Sequence, residues 1–297
     1  MKKIFGAFLF FFLTTLLTSC SEGLSDSNET SGGETDKKPM IAVSIVPQKT
    51  WVEAVVGDFA KVVVMIPPGK NPANYAPSPK ELQQFSDADV YFGIGVPTEK
   101  VNVLSKAKDI NPKMTIVHLE KSVAEKYPER QFESGMRDQH IWLSPKRAEV
   151  IVQEIADELS EKYPNQKDQF QNNAADYIEQ ISNADKEIRT ILSKLDSKKF
   201  IVYHPAFGYF AEDYGLEMIA IEENGKEATP QRRKEIVNIA KKEGIRVIFY
   251  QAEIDSSQSK ATAEEINGRT VQIVPLAPDY VENLKLMAQT FKEAQEL

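Results

Sequence analysis

A single cysteine and three histidines are all that 297 residues offer for thiolate or imidazole chemistry. One cysteine makes no intramolecular disulfide and no Cys-rich zinc or iron–sulfur site. Three histidines leave little room for a His-rich cluster. Basic residues are in deficit too: 36 Lys and Arg stand against 44 Asp and Glu, a net charge of -8. A nucleic-acid binder shows a basic face, so no nucleic-acid partner is expected. Catalytic signatures are missing: there is no G-x-S-x-G, no P-loop, no G-x-G-x-x-G and no H-E-x-x-H. A binding protein is favoured over an enzyme. What the chain does have is an apolar share of 41%, enough to exclude wholesale disorder, and a length that suits two lobes.

The one cysteine is Cys20. Lys2 and Lys3 precede an apolar run from Ile4 to Leu13, and Leu17-Thr18-Ser19-Cys20 follows. This is the pattern of a secretory signal over residues 1–19. The run is shorter than the roughly 20 residues of a permanent membrane span, and no other segment approaches that length. Leu-Thr-Ser-Cys also resembles a bacterial lipobox, in which Cys20 becomes the lipid-bearing N-terminus; an ordinary signal with a chance cysteine is the competing reading. Loss of residues 1–19 removes two lysines and no acid, which moves the charge from -8 to -10. From Cys20 to residue 38 the chain is rich in Ser, Gly, Glu, Asp and Thr, the composition of a solvated tether. The expectation is an exported bacterial lipoprotein, anchored at the periplasmic face or the cell surface.

From Met40 onward, short β-rich runs alternate with helical periodicity. Strands are expected at 41–47, 61–68, 89–95 and 115–119, and helices at 48–58, 78–88, near 98–108 and at 145–162, with a looser stretch up to 138. Ser78, Pro79 and Glu81 form a capping signature for the second helix. The alternation predicts α/β layers with parallel-type sheets. Residues 163–196 break it: no Gly or Pro occurs from Asn165 to Leu195, and apolar residues recur every three or four positions. This predicts one helix of about 30 residues and about 45 Å, with a coiled coil as the competitor. Strands at 199–204, 217–222, 246–251 and 269–275 then alternate with helices near 206–214, at 230–242, near 260–266 and at 279–295. The expected organisation is two similar α/β lobes, 39–162 and 197–297, joined by one long rigid helix (163–196).

Ligands of α/β sheets bind beyond the carboxyl ends of the strands. His140 and His204 fall in such positions, one in each lobe. Two imidazoles meeting from two lobes suggest a metal such as Zn²⁺ or Mn²⁺. The competing reading makes each a structural hydrogen-bonding residue. His118, inside or at the edge of a strand, is read as structural, and the aromatics Tyr203, Phe207, Tyr209 and Phe210 as core.

Several segments resemble the solute-binding lipoproteins of zinc and manganese ABC transporters. They are PPGKNPANYAPSPKELQQFSDADVYFGIG, DQHIWLSP (similar to D-P-H-x-W-L-D-P), YHPAFGYFAEDYGLEMIAI, GKEATPQRRKEI and VPLAPDYVENL. They run in family order from about residue 40 to 295, and the long linking helix also suits the family fold. The resemblance implies metal import. Of four metal-coordinating positions, the second and third match His140 and His204. The first, a His in P-H-x-Y, is here Ala73, and the last, an acid before P-L, is Val274. A nearby acid after the strand at 246–251 is replaced by Gln251, and the His-rich loop of zinc members is absent between 120 and 138. Tyr75, Gln251, Glu253 or water would complete the coordination.

The resulting expectation is a monomeric, lipid-anchored receptor that captures a divalent cation, zinc first and manganese second, between two lobes and passes it to the permease and ATPase of an ABC transporter. Two alternatives stand beside it: a receptor for a larger metal complex or siderophore-like ligand, and a surface adhesin without metal transport.

Overall fold

The computed structural model describes residues 38–223, 225–254 and 257–296. The expected signal segment, Cys20 and the tether up to residue 37 lie outside the described residues. Strand β1 (Met40–Val43) is apolar on both faces, as befits a parallel strand covered on both sides. It pairs with β2 (Lys61–Val64) and β3 (Val90–Gly93), and β3 pairs with β4 (Thr115–His118), all parallel. The second sheet repeats this plan with β5 (Lys199–Val202), β6 (Glu217–Ala220), β7 (Val247–Tyr250) and β8 (Arg269–Gln272). The strand orders are β2-β1-β3-β4 and β6-β5-β7-β8. The order of each sheet reverses beside its first strand, so the switch points lie between β1 and β3 and between β5 and β7. A ligand crevice opens at the carboxyl ends of such strands.

The crossover helices have local causes. Helix α1 (Val46–Val56) follows β1 and ends at Gly57, whose φ of 55° lies where side chains are disfavoured. Helix α2 (Pro79–Ser86) opens on the expected capping box, with Ser78 and Glu81 each bonding the other's backbone. Helix α3 (Leu104–Ile110) follows a widened π-helical turn at Glu99–Val103. That turn corrects the regular helix expected near 98–108: the Glu99 carboxylate turns back onto the backbone N–H groups of Ile94 and Gly95, 2.7 and 2.8 Å away. Helix α4 (Leu119–Lys126) occupies part of the stretch read as loose. Its Leu119 and Val123 are buried four residues apart, too few turns for periodicity to show. Helix α5 (Pro145–Lys162) has the expected bounds.

The long helix is α6 (Lys167–Ser193), 27 residues, hence about 40 Å, preceded by a tight turn at Pro164–Gln166. Phe170, Ala174, Tyr177, Ile181, Ala184, Ile188 and Leu192 form its buried stripe. It packs on α1 and α5 of the first half and on α10 (Tyr280–Glu293) of the second. One apolar cluster therefore runs from Val43 and Trp51 through Ile181 to Phe249 and Phe291. Helices α7 (Gly208–Tyr214), α8 (Pro230–Glu243) and α9 (Ser257–Glu265) complete the second half.

Polar contacts close the two halves at the base of the cleft. Arg147 on α5 is 1% exposed. Its guanidinium lies 4.3 Å from the Tyr209 ring centroid and donates to Asp213 Oδ1 at 3.3 Å. Ser144 donates to Asp213 Oδ2 at 2.5 Å, and Lys146 also pairs with that carboxylate. Trp142 Nε1 donates to the Pro275 carbonyl, and the Tyr280 hydroxyl donates to the Trp142 carbonyl. Removing one member of a buried ion pair strands the other charge. Asp213→Ala should lower stability by about 3–5 kcal/mol in urea unfolding, and a double replacement of Arg147 and Asp213 by Met and Leu should cost less.

Candidate metal centre

His204 follows β5 and His140 ends the loop before α5, and the fold turns the two rings toward each other. Their Nε2 atoms stand 3.3 Å apart, with the rings at 77°. Behind each ring is a carboxylate. His140 Nδ1 lies 2.7 Å from Asp138 Oδ1, which also accepts the His140 backbone N–H at 3.0 Å. His204 Nδ1 lies 2.9 Å from Glu222 Oε2, at the end of β6. Asp138 is 1% exposed and Glu222 7%. Acceptors this buried need a donor, so they assign the proton to Nδ1 of both rings. Both Nε2 atoms are then lone pairs facing one another, an arrangement that calls for a cation or a shared proton between them.

Burial of the His140 ring disfavours imidazolium and holds its pKa below the usual histidine value, against the opposing pull of Asp138. The ring is therefore neutral and able to donate to a metal at neutral pH. Its orientation is held by packing against Trp142, with ring centroids 5.1 Å apart. The Asp138 carboxylate needs Gly208 beneath it: a Cβ there would come within 2.7 Å of Asp138 Oδ2.

A cavity of about 20 Å³ adjoins the two imidazoles and is bounded also by Ala73, Gln251 and Glu253. About 10–15 Å³ accommodates one water-sized particle, so this space fits an ion and not a chelate. Gln251 and Glu253 follow β7, the strand across the switch point from His204. Gln251 Nε2 and Glu253 Oε2 are buried without a hydrogen-bond partner among the described residues. A wider cleft of about 790 Å³ shares His204 and Ala73 with it and carries Glu99, His118, Arg130, Arg137 and Arg232 on its wall.

The remaining sequence expectations separate here. Tyr75 is not on the wall of the small cavity; its hydroxyl donates to Glu81 Oε2 at 2.8 Å, on the helix-capping residue. Val274 is 38% exposed, its carbonyl taken by Asn283, while the next two residues, Pro275 and Leu276, reach the cavity. His118 ends β4 and contacts Glu120 at 3.2 Å. Sequence reasoning missed Asp138 and Glu222. Asp138 stood in the quoted DQH, two residues before the ring it holds; for Glu222, 18 residues from His204, no local signal exists.

Glu99, 2% exposed on the wall of the wide cleft, is pushed up to about 7, chiefly by burial. Hydrogen bonds from Ser44, Ile94 and Gly95 oppose the shift. The folded protein holds this proton over a range where the unfolded chain has lost it. The stabilisation is fully present below pH 4.5 and is lost as pH rises through about 7. The unfolding free energy should fall by about 3 kcal/mol across that window from this group, and Glu99→Gln should flatten the dependence in urea titrations at successive pH values.

Residues 41–294 match the family described as zinc-uptake complex component A, periplasmic. A zinc-binding lipoprotein, AdcA of Streptococcus pneumoniae, is 32% identical over 255 residues, covering 82% of this chain and 51% of that protein. The high-affinity zinc uptake system protein ZnuA of Bacillus subtilis is 27% identical over 281 residues, 91% of this chain and 87% of its own length. A crystal structure of ZnuA superposes with a TM-score of 0.82 at 34% identity, covering 87% of this chain and all of that one. The chain spans about half the length of the AdcA proteins it matches.

Proposed function

Because the chain belongs to the family of periplasmic component A proteins of zinc-uptake complexes, a family of binding components and not of enzymes, we propose that it captures a divalent cation, zinc first, between its two halves and delivers it to an ABC-transporter permease and its ATPase. The observation that carries this reading is the facing pair of Nε2 atoms, each ring backed by a buried carboxylate. Two ligands of a tetrahedral Zn²⁺ with bonds of about 2.0–2.1 Å stand about 3.3–3.4 Å apart. The pair at 3.3 Å has that separation. Donation from Nδ1–H to Asp138 and Glu222 raises the basicity of Nε2 and holds each ring in place. In this reading residues 1–19 are a signal, Cys20 carries lipid, the tether to 38 holds the two lobes off a membrane surface, and the receptor works as a monomer. Mn²⁺ is the weaker candidate, since imidazole donors suit zinc better than manganese.

A second reading rests on the wide cleft. Its 790 Å³ and the arginines on its wall leave room for an anionic metal complex beside His204. Isothermal titration of metal-stripped protein separates the two. The first reading expects tight binding of free Zn²⁺, weaker binding of Mn²⁺, and loss of heat in His140→Ala and His204→Ala; heat only with a chelated metal would replace it by the second. Asp138→Asn and Glu222→Gln should each weaken zinc binding about 10–100-fold. Ala73→His should tighten it, since this position borders the same small cavity and would supply a third imidazole.

A further inference from the structure

Two imidazoles leave a tetrahedral cation two ligands short, and structural or transport-type zinc sites use three or four protein ligands. Among the described residues, no group of three or more His, Cys, Asp or Glu is already arranged to hold a metal. The side chains that border the small cavity with both rings narrow the choice of a third ligand. Ala73, Pro72, Pro275, Ile254 and Leu276 have no donor side chain. Asn71 spends its Oδ1 on the Ala73 backbone N–H at 2.8 Å. Gln139 and Gln251 can offer only a neutral amide oxygen, which is not among the usual zinc ligands, and the unpartnered Gln251 Nε2 cannot ligate a metal.

Glu253 differs from all of these. Its Oε2 is buried, has no hydrogen-bond partner among the described residues, and belongs to a side chain on the cavity wall. A buried carboxylate oxygen without a partner is costly unless a proton or cation completes it. Carboxylate oxygen is a proper zinc ligand at about 2.0–2.2 Å. The residue sits in the turn after β7, at the switch point that also presents His204, and shares the wall of the small cavity with both rings.

We propose that Glu253 is the third, anionic ligand of the cation, closing on it when it binds between His140 and His204, and that it takes over the role vacated at Ala73. This rests on the reading of the imidazole pair as the metal site. The charge follows sensibly: a bound Zn²⁺ meets one carboxylate directly and two more, Asp138 and Glu222, through the rings.

The test uses the metal-stripped protein with Zn²⁺ in competition against a chromophoric chelator, and Co²⁺ as a spectroscopic probe. Glu253→Gln and Glu253→Ala should weaken zinc by more than the about 10–100-fold that loss of a carboxylate behind a ligand costs. Their Co²⁺ visible bands should shift, while apo-protein melting temperatures stay close to the parent. Adding Ala73→His to Glu253→Ala should restore much of the affinity. Unchanged zinc affinity and Co²⁺ spectra in both Glu253 variants, with binding still lost in His140→Ala and His204→Ala, would overturn the role of Glu253 and leave the imidazole pair standing. Binding retained in the two histidine variants would remove the pair and the proposal together.

Discussion

A guanidinium with 1% of its surface exposed must be paired, and the way Arg147 is paired governs how the two sheets stand. It rises from α5 in the first half and finds Asp213, Glu212 and the Tyr209 ring on α7 in the second. The same two helices carry the supports of the site. Ser144, three residues before Arg147, shares Asp213 and lies just beyond His140. Tyr209 donates its hydroxyl to the Asp138 carbonyl at 3.1 Å and accepts the Arg130 N–H at 2.9 Å. The ion pair at the base and the imidazoles above it are therefore linked by contiguous contacts through Tyr209, which touches both Arg147 and Asp138.

The long helix adds a second constraint. Its buried stripe joins α1, α5 and α10 into one apolar cluster, so the halves share a core. Edge-on contact between Trp51 and Tyr280, at 5.0 Å, crosses the same divide. Large hinge motions need a few loop residues free to change dihedrals. Here the crossing is a 27-residue helix packed on both sides, which favours capture by small local movements. A side chain such as Glu253, in a turn at the rim, is the kind of element that can move while the frame stays still.

Element order and type were largely legible from local pattern. The capping box at Ser78 and Glu81, the Ser-Pro start of α5 and the uninterrupted period of α6 each rest on interactions within a few residues, so sequence carries them directly. Two misreadings share one cause. Helix α4 buries only Leu119 and Val123, and the π turn at Glu99 answers to backbone N–H groups at Ile94 and Gly95 within the tertiary fold. Neither leaves a periodic trace.

Sequence by itself determined the α/β alternation, the single long helix and the two histidines that lie beyond strand ends, because strand and helix periods and turn residues are short-range properties. Only the tertiary structure decided that His140 and His204, 64 positions apart, bring Nε2 to 3.3 Å. It also decided that Asp138 and Glu222 stand behind them, that the Tyr75 hydroxyl is spent on Glu81, and that Glu253 is left with a buried, unpartnered oxygen. Each of these depends on which side chains share one small volume, and that is settled by the packing of two sheets against one helix. The scarcity of cysteine and histidine sets the limits within which that packing works: two imidazoles border the small cavity, and the other side chains on its wall that could complete a coordination offer oxygen.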